Sequence, residues 1–351
     1  MKILKSNNVT IRDIATRLGV STATVSMALS GKGQISAEVR QNIIQTARKM
    51  GYETNKIGHA LMMKNVTIGV MIPKSPAVVQ ENIKRGIVDA CNENKGIKFK
   101  CIIMEYEYDV ADEEQCFRTL YKSCDGIIIE FDSDREEPHR EIIDKINEKR
   151  LPVVSIVVQS LRLHTSLHVS VDAESIGRIA ADMLSIGLRR SASRKVVIFG
   201  GKKGVDIHQR NIRGFQEACG KYQLELEEIV YTNDAEENIP PLVLQTLQKH
   251  PDTVGIFVSN YLAYRVCASL RDLGRAGDVL VVGMDLCEQN NACVRDGSLN
   301  VLINQQQRTQ AAIAFNELIN LMLNTQTSTE KKSIQIPGQI ILPGNLDNYI
   351  D

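Results

Sequence analysis

No stretch of the 351-residue sequence approaches the roughly 18 apolar residues that cross a membrane as a helix. The N-terminal MKILKSNNVTIRD lacks both a long apolar segment and a small-residue cleavage site, so the expected location is the cytoplasm. The eight cysteines form no C-x-x-C pair and no regular framework. They read as small buried hydrophobes rather than metal ligands or redox centres. There is no G-x-S-x-G elbow, P-loop, H-E-x-x-H or G-x-G-x-x-G. The six histidines are scattered, and His164 and His168 lie four apart in a stretch without helical patterning. No enzyme activity, cofactor or metal site is therefore expected.

Formal charges cancel over the whole chain but not along it. Residues 1–65 hold ten Lys/Arg against three acids, a net +7, and the remainder carries the compensating −7. A basic head on an acidic body suits a phosphate-binding module attached to a part that avoids nucleic acid.

Within the head, Thr10 precedes IRDIATRL, with Ile11, Ile14, Ala15 and Leu18 at helical spacing. Gly19 falls where a chain leaving a helix needs positive φ. Ser21 then offers a cap for a short second helix, with Val25 and Leu29 inward. A third helix follows Ser36, with the stripe Val39, Ile43, Ile44, Ala47 and Met50 and a stop at Gly51. Helix, glycine-containing turn, helix is the helix-turn-helix pattern, whose second helix enters the major groove. Ser21, Thr22, Ala23, Thr24, Ser26 and Met27 are the candidates for base or phosphate contact. A generic three-helix bundle is the alternative that the basic charge disfavours.

VTIRDIATRLGVSTATVSMALSGKGQIS resembles the head of the lactose/galactose repressor (LacI/GalR) family, and the likeness continues through GYETNKIGHAL. The resemblance implies a hinge helix that forms on the operator, with Asn55 as its cap and Leu61 as an apolar wedge in the minor groove. Thr10, Arg12, Lys32 and Lys56 are expected at phosphates. Met27 stands where the family usually has Arg, so guanine readout by a guanidinium is absent there and the operator sequence does not carry over. Gly58 replaces a common Ala and disfavours hinge order in the free state.

From Val66 onward, apolar runs alternate with helical patterns. VTIGVMI, FKCIIM, GIIIE and LPVVSIVV form a first set of strands, and HVSV, KVVIFG, LEEIVY, VGIFVS and VLVVGM a second. Continuous apolar strands between long helices indicate parallel sheets covered on both faces. The expected fold is an all-α helix-turn-helix head on an α/β body of two lobes, each a doubly wound parallel sheet. VDAESIGRIAADMLSIGLRR, RNIRGFQEA, VSNYLAYRVCASLRDLG, DVLVVGMDL and LNVLINQQQRTQAAIAFNELI resemble, in order, segments of the type I periplasmic-binding-protein fold of the same family. The expected boundaries are 1–53 for the head, 54–65 for the hinge and 66–351 for the body. Lobe one spans about 66–168 plus 304–330, and lobe two about 169–303 plus 331–351.

Ligands in such sheets sit at the carboxyl ends of strands. Asn260 and Asp285 match ligand-facing residues of the family, Asp285 as an acceptor for sugar hydroxyls. Tyr261 stands where Asp is usual. The family's Arg three residues before Gly214 is Asn211 here, and Arg210 is displaced by one. Glu130, at the end of the third strand, and Gln305, at the start of the crossover helix, complete the candidates. The resemblance implies a transcription regulator of repressor type for a catabolic operon, controlled by a small polar effector such as a sugar. A nucleoside effector, a cleft without a ligand, and a solute-binding protein of the same body fold remain open alternatives. The expected partners are a palindromic double-stranded operator and a second copy of the chain, with no membrane. No heptad segment follows IILPGNL to build a tetramer.

Overall fold

The computed structural model describes residues 11–30, 35–50, 66–94, 99–323 and 332–350. The chain divides into two units, residues 1–64 and 65–351.

In the first unit, α1 (Ile11–Leu18), α2 (Thr22–Ser30) and α3 (Ala37–Lys49) enclose a small core of Ile14, Ala15, Val25, Ala28, Ile43 and Ala47. Gly19 adopts φ +65°, as the turn requires. Ser21 Oγ accepts the Thr24 amide at 3.0 Å and Ser36 Oγ the Val39 amide at 3.3 Å, so both expected caps are made. Val39 departs from the expected stripe. It is 39% exposed and is not among the residues of the head core. The expected stop at Gly51 lies outside the described residues.

The body begins with β1 (Val66–Pro73), α4 (Ala77–Glu93), β2 (Phe99–Tyr106), α5 (Val110–Ser123), β3 (Gly126–Ile129), α6 (Arg140–Lys149), β4 (Val153–Ile156) and β5 (Leu167–Val171). It continues with α7 (Ala173–Gly187), β6 (Lys195–Gly200), α8 (Asp206–Tyr222), β7 (Glu225–Tyr231), α9 (Ile239–Lys249), β8 (Gly255–Val258), α10 (Ala263–Asp272) and β9 (Leu280–Met284). The last elements are α11 (Glu288–Asp296), β10 (Val301–Asn304), α12 (Gln307–Leu323), β11 (Lys332–Ile336) and β12 (Gln339–Ile341). The first sheet has the order β11-β5-β4-β3-β1-β2, and the second β12-β10-β9-β8-β6-β7. Among the described strands, the β10–β12 pairing alone is antiparallel. Strands such as GIII and GIFV are buried along their whole length, as helices on both faces demand.

Two expectations about the lobes are corrected. HVSV is expected in the second set, but β5 pairs with β4 through Val154↔Leu167 and belongs to the first sheet. Segment 331–336 is expected in lobe two, but β11 extends the first sheet beside β5, so the chain returns to the second lobe only at β12. An exposed edge at β5 would leave the buried strand unpaired on one side; β11 covers it.

The lobes are joined by three crossings, which are tied together. The Asp172 amide donates to Ile336 O at 3.1 Å, Gln306 Nε2 to Pro337 O at 2.8 Å, and Asn304 Nδ2 to Gln339 Oε1 at 3.3 Å. Gln306 itself turns with φ +57°. The expected helix start at Gln305 is therefore a hinge residue, and α12 begins at Gln307.

Candidate functional sites

On the head, Ser21, just ahead of α2, and Thr22, Ala23 and Met27 within it are exposed, and Thr24 and Ser26 are half-buried. The Ser21 and Thr24 hydroxyls bond each other at 2.8 Å, so part of their capacity is engaged in capping. Arg12 is exposed on α1. The small side chains at the start of α2 let its backbone come close to a groove floor or phosphate. Thr10, Lys32, Asn55, Lys56 and Leu61, with the whole 54–65 hinge, lie outside the described residues.

In the body, both sheets reverse strand order between their first and third strands, β1/β3 in one and β6/β8 in the other. The carboxyl ends at these switch points face each other across a cavity of about 190 Å³. Glu130 and Asp132 enter it from behind β3, Ser259 and Asn260 from behind β8, Asp285 from behind β9, and Gln305 from the hinge. Of the expected cleft residues, Glu130, Asn211, Asn260, Asp285 and Gln305 thus share one cavity.

Arg210 does not join them. Its guanidinium lies 3.8 Å from the Glu174 carboxylate and lines a neighbouring groove. One residue is about 100° of helix rotation, so Arg210 and Asn211 cannot face the same way. Asn211 occupies the inward position, 1% exposed. Its Nδ2 reaches Met284 Sδ at 3.6 Å, and its Oδ1 has no hydrogen-bond partner among the described residues.

Asp285 is 3% exposed and adopts φ +67°. Its carboxylate accepts from Gln305 Nε2 at 2.9 and 3.1 Å and from Gln307 Nε2 at 2.6 Å. Burial pushes its pKa up, partly offset by these two amides. Most of its acceptor capacity is therefore engaged by the hinge, and it links cleft and crossing rather than standing open. Asn260 is likewise engaged. Its Nδ2 donates to Thr232 Oγ1 at 3.1 Å and Asp234 Oδ1 at 2.9 Å, and its Oδ1 accepts the Leu262 amide. It positions Asp234.

Sequence reasoning missed Asp132, His208, Asp234 and Tyr108. His208 Nδ1 lies 3.2 Å from Ser259 O, and its Nε2 lies 3.5 Å from Asp234 Oδ2. Burial raises the Asp234 carboxyl, but the hydrogen bonds from His208 and Asn260, with Lys202 nearby, hold it below its ordinary range. Glu130 accepts from Gln80 Nε2 at 3.1 Å, and burial pushes its carboxyl up to about 8. Tyr108 presents its ring to Arg135 and Lys202, each at 5.3 Å from the centroid. No spacing signal marks these four residues; the switch-point rule applied to the strand ends would have found Asp132. Among the described residues no cluster of three or more His, Cys, Asp or Glu could hold a metal ion, and no helix is long and apolar enough to cross a membrane.

The body is that of the two-lobed solute-binding class. The periplasmic binding protein domain model matches residues 68–326, and the bacterial regulatory proteins, lacI family, model matches residues 10–55. The chain belongs, through its body, to the periplasmic-binding-protein domain family and carries a DNA-binding domain of the bacterial regulatory proteins, lacI family, ahead of it; with this make-up it is a DNA-binding transcription regulator. It is 29% identical over 230 residues to catabolite control protein A of Staphylococcus xylosus, covering 65% of this chain and 66% of that one. It thus spans about two thirds of that relative's length. With the protein of the same name from Staphylococcus epidermidis it shares 26% over 270 residues, 76% of this chain and 78% of the other. In fold it is similar to a candidate LacI transcriptional regulator from Bacteroides fragilis, with TM-score 0.69 and 20% identity over 82% of this chain and all of the other. A solute-binding protein from Burkholderia graminis in complex with D-arabinose gives TM-score 0.70 and 20% identity, over 82% of this chain and 99% of that one.

Proposed function

We propose that the protein is a cytoplasmic repressor whose hold on DNA is set by a small polar effector, such as a sugar, in the interlobe cleft. Residues 1–53 form the DNA-reading head, 54–65 the hinge and the remainder the effector and dimerisation body. Two copies joined through their bodies place two heads on a palindromic operator, half-sites about one helical turn apart. In each head, α2 enters the major groove with Ser21, Thr22, Ala23, Thr24, Ser26 and Met27. Thr10, Arg12, Lys32 and Lys56 meet phosphates. Asn55 caps the hinge helix, and Leu61 wedges the minor groove.

The observation that carries this reading is the pairing of exposed small residues at the start of α2 with a cleft at the carboxyl ends of two sheets. In that cleft, Glu130, Asn211, Asn260, Asp285 and Gln305 contact or frame the effector. Arg210 stays outside. The Gln305–Asp285 link gives the effector a route to the crossings: a ligand that competes for Asp285 loosens the hinge.

The test is a gel shift of the full chain with genomic fragments in excess nonspecific DNA. The expected result is a small set of fragments retained selectively. Equal retention of all fragments would overturn the regulator reading.

A further inference from the structure

Four carboxyl groups converge on the cleft, from Glu130, Asp132, Asp234 and Asp285. They differ in how they are satisfied. Asp234 is held by His208 and Asn260, and Asp285 by Gln305 and Gln307. Glu130 has one amide on one oxygen, from Gln80. The carboxylate of Asp132, a half-buried residue two positions further on, makes no hydrogen bond or salt bridge among the described residues, though Lys202, Arg135 and His208 act on it through space. The pair behind β3 thus faces the cavity with unmatched acceptor capacity.

Two further acceptors face the same space. Asn211 Oδ1 and Ser259 Oγ are buried, each residue 1% exposed, and neither atom has a hydrogen-bond partner among the described residues. Leaving a buried polar atom unpaired is unfavourable, and in a binding cleft it marks where a ligand donor belongs. The positive groups nearby are each drawn to other partners. Lys202 stands over the Tyr108 ring, Arg135 pairs with Glu113, His208 faces Asp234, Arg210 has turned to Glu174, and the amino ends of α4 and α8 supply only partial charge. A phosphate placed here would meet four carboxyls, and among the described residues Lys202 is the one lysine or arginine that lines the cavity.

Building on the effector-cleft reading, we propose that the ligand is a hydroxyl-rich small molecule carrying a protonated amine, an amino-sugar-like cation, with its ammonium against Glu130 and Asp132. Its hydroxyls donate to Asn211 Oδ1 and Ser259 Oγ. An ammonium has three donors and no acceptor, matching the carboxyl oxygens of Glu130 and Asp132. The carboxyls do not form a metal cluster among the described residues, so an organic cation is the matching partner. Burial raises both Glu130 and Asp132, and Asp134 adds to Asp132, while Lys202, Arg135 and His208 offset only part of that rise.

The test is calorimetric titration of the full chain near neutral pH with matched series in the gluco, galacto and manno configurations. Each series comprises the 2-amino sugar, its N-acetyl form, the parent sugar and the 6-phosphate. In at least one series the amino sugar is expected to bind tenfold or more tightly than the other three. Asp132→Asn, which breaks no hydrogen bond, is expected to reduce that preference to near parity. Tighter binding of a parent sugar or phosphate, or an undiminished amine preference in Asp132→Asn, would overturn the proposal. Binding of no member would overturn it too. A gel shift with genomic fragments in the same preparations separates this failure from that of the regulator reading, because selective DNA retention does not depend on the class of ligand.

Discussion

Glu130 shows what the cleft demands of a single residue. Its carboxyl lies at the end of a buried strand, against Gln80, with Asp132 as a like-charged neighbour and the Tyr106 hydroxyl donating to its backbone carbonyl. Burial raises its pKa from 4.5 to about 8, so the folded state holds this proton more tightly than the unfolded chain. The stabilisation is complete below the unfolded value and is lost as pH rises through the folded one. Glu130→Gln keeps the shape and removes the titration. Melting followed from about pH 5 to about pH 9 should show the variant gaining on the parent as pH rises, by about 2–4 °C for each kcal/mol involved. Parallel profiles would show that Glu130 does not titrate with folding. At this scale the sequence is a partial guide. Asp285 and Asn260 stand out by motif, yet their engagement by Gln307 and Asp234 joins segments far apart in the chain. The same holds for His208 with Asp234. The Arg210/Asn211 ambiguity is an angular one, and helix geometry resolves it once α8 is in place.

Among elements, α7 and α8 pack closely because each offers a glycine to the other. A methyl group at Gly177 would run into the Asn211 backbone carbonyl, and one at Gly214 into that of Glu174. This crossing fixes Asn211 in the cleft. Gly214→Ala is expected to destabilise the body by about 1–3 kcal/mol through overpacking. Gly220→Ala, on the same helix with nothing within 4 Å, should be neutral or stabilising by about 0.5–1 kcal/mol. Urea midpoints of the two variants check the contrast; equal shifts would contradict it. In the head, Ser21→Ala removes the cap on Thr24 and should lower stability by about 1 kcal/mol, read by the helical signal on heating. Existence and type of elements are legible from apolar runs and caps. Sheet membership is not, because β5 and β11 lie next to each other in space but about 160 residues apart in sequence, and local pattern carries no information on which edge a strand joins.

At the scale of the whole molecule, the charge asymmetry and the two switch points separate DNA reading from ligand reading. A ligand that draws the lobes together is expected to alter the crossings tied at Asp172, Gln306 and Pro337. If it thereby changes DNA affinity, linkage requires DNA to change ligand affinity by the same factor. Removing Arg12, Lys32 or Lys56 should weaken binding to all DNA similarly and flatten the salt dependence, by about one unit of slope for each phosphate no longer neutralised. A change in sequence preference at constant slope would mean that these side chains read bases. The central claim is a two-headed regulator that reads a symmetric operator with α2 and wedges its centre with Leu61. Hydroxyl-radical footprinting of the full chain on the genomic fragment it retains most strongly tests this directly. The expected result is protection of two inverted half-sites about one helical turn apart, with a distorted step between them that disappears in Leu61→Ala. A single protected half-site, or uniform protection without a symmetric centre, would contradict it.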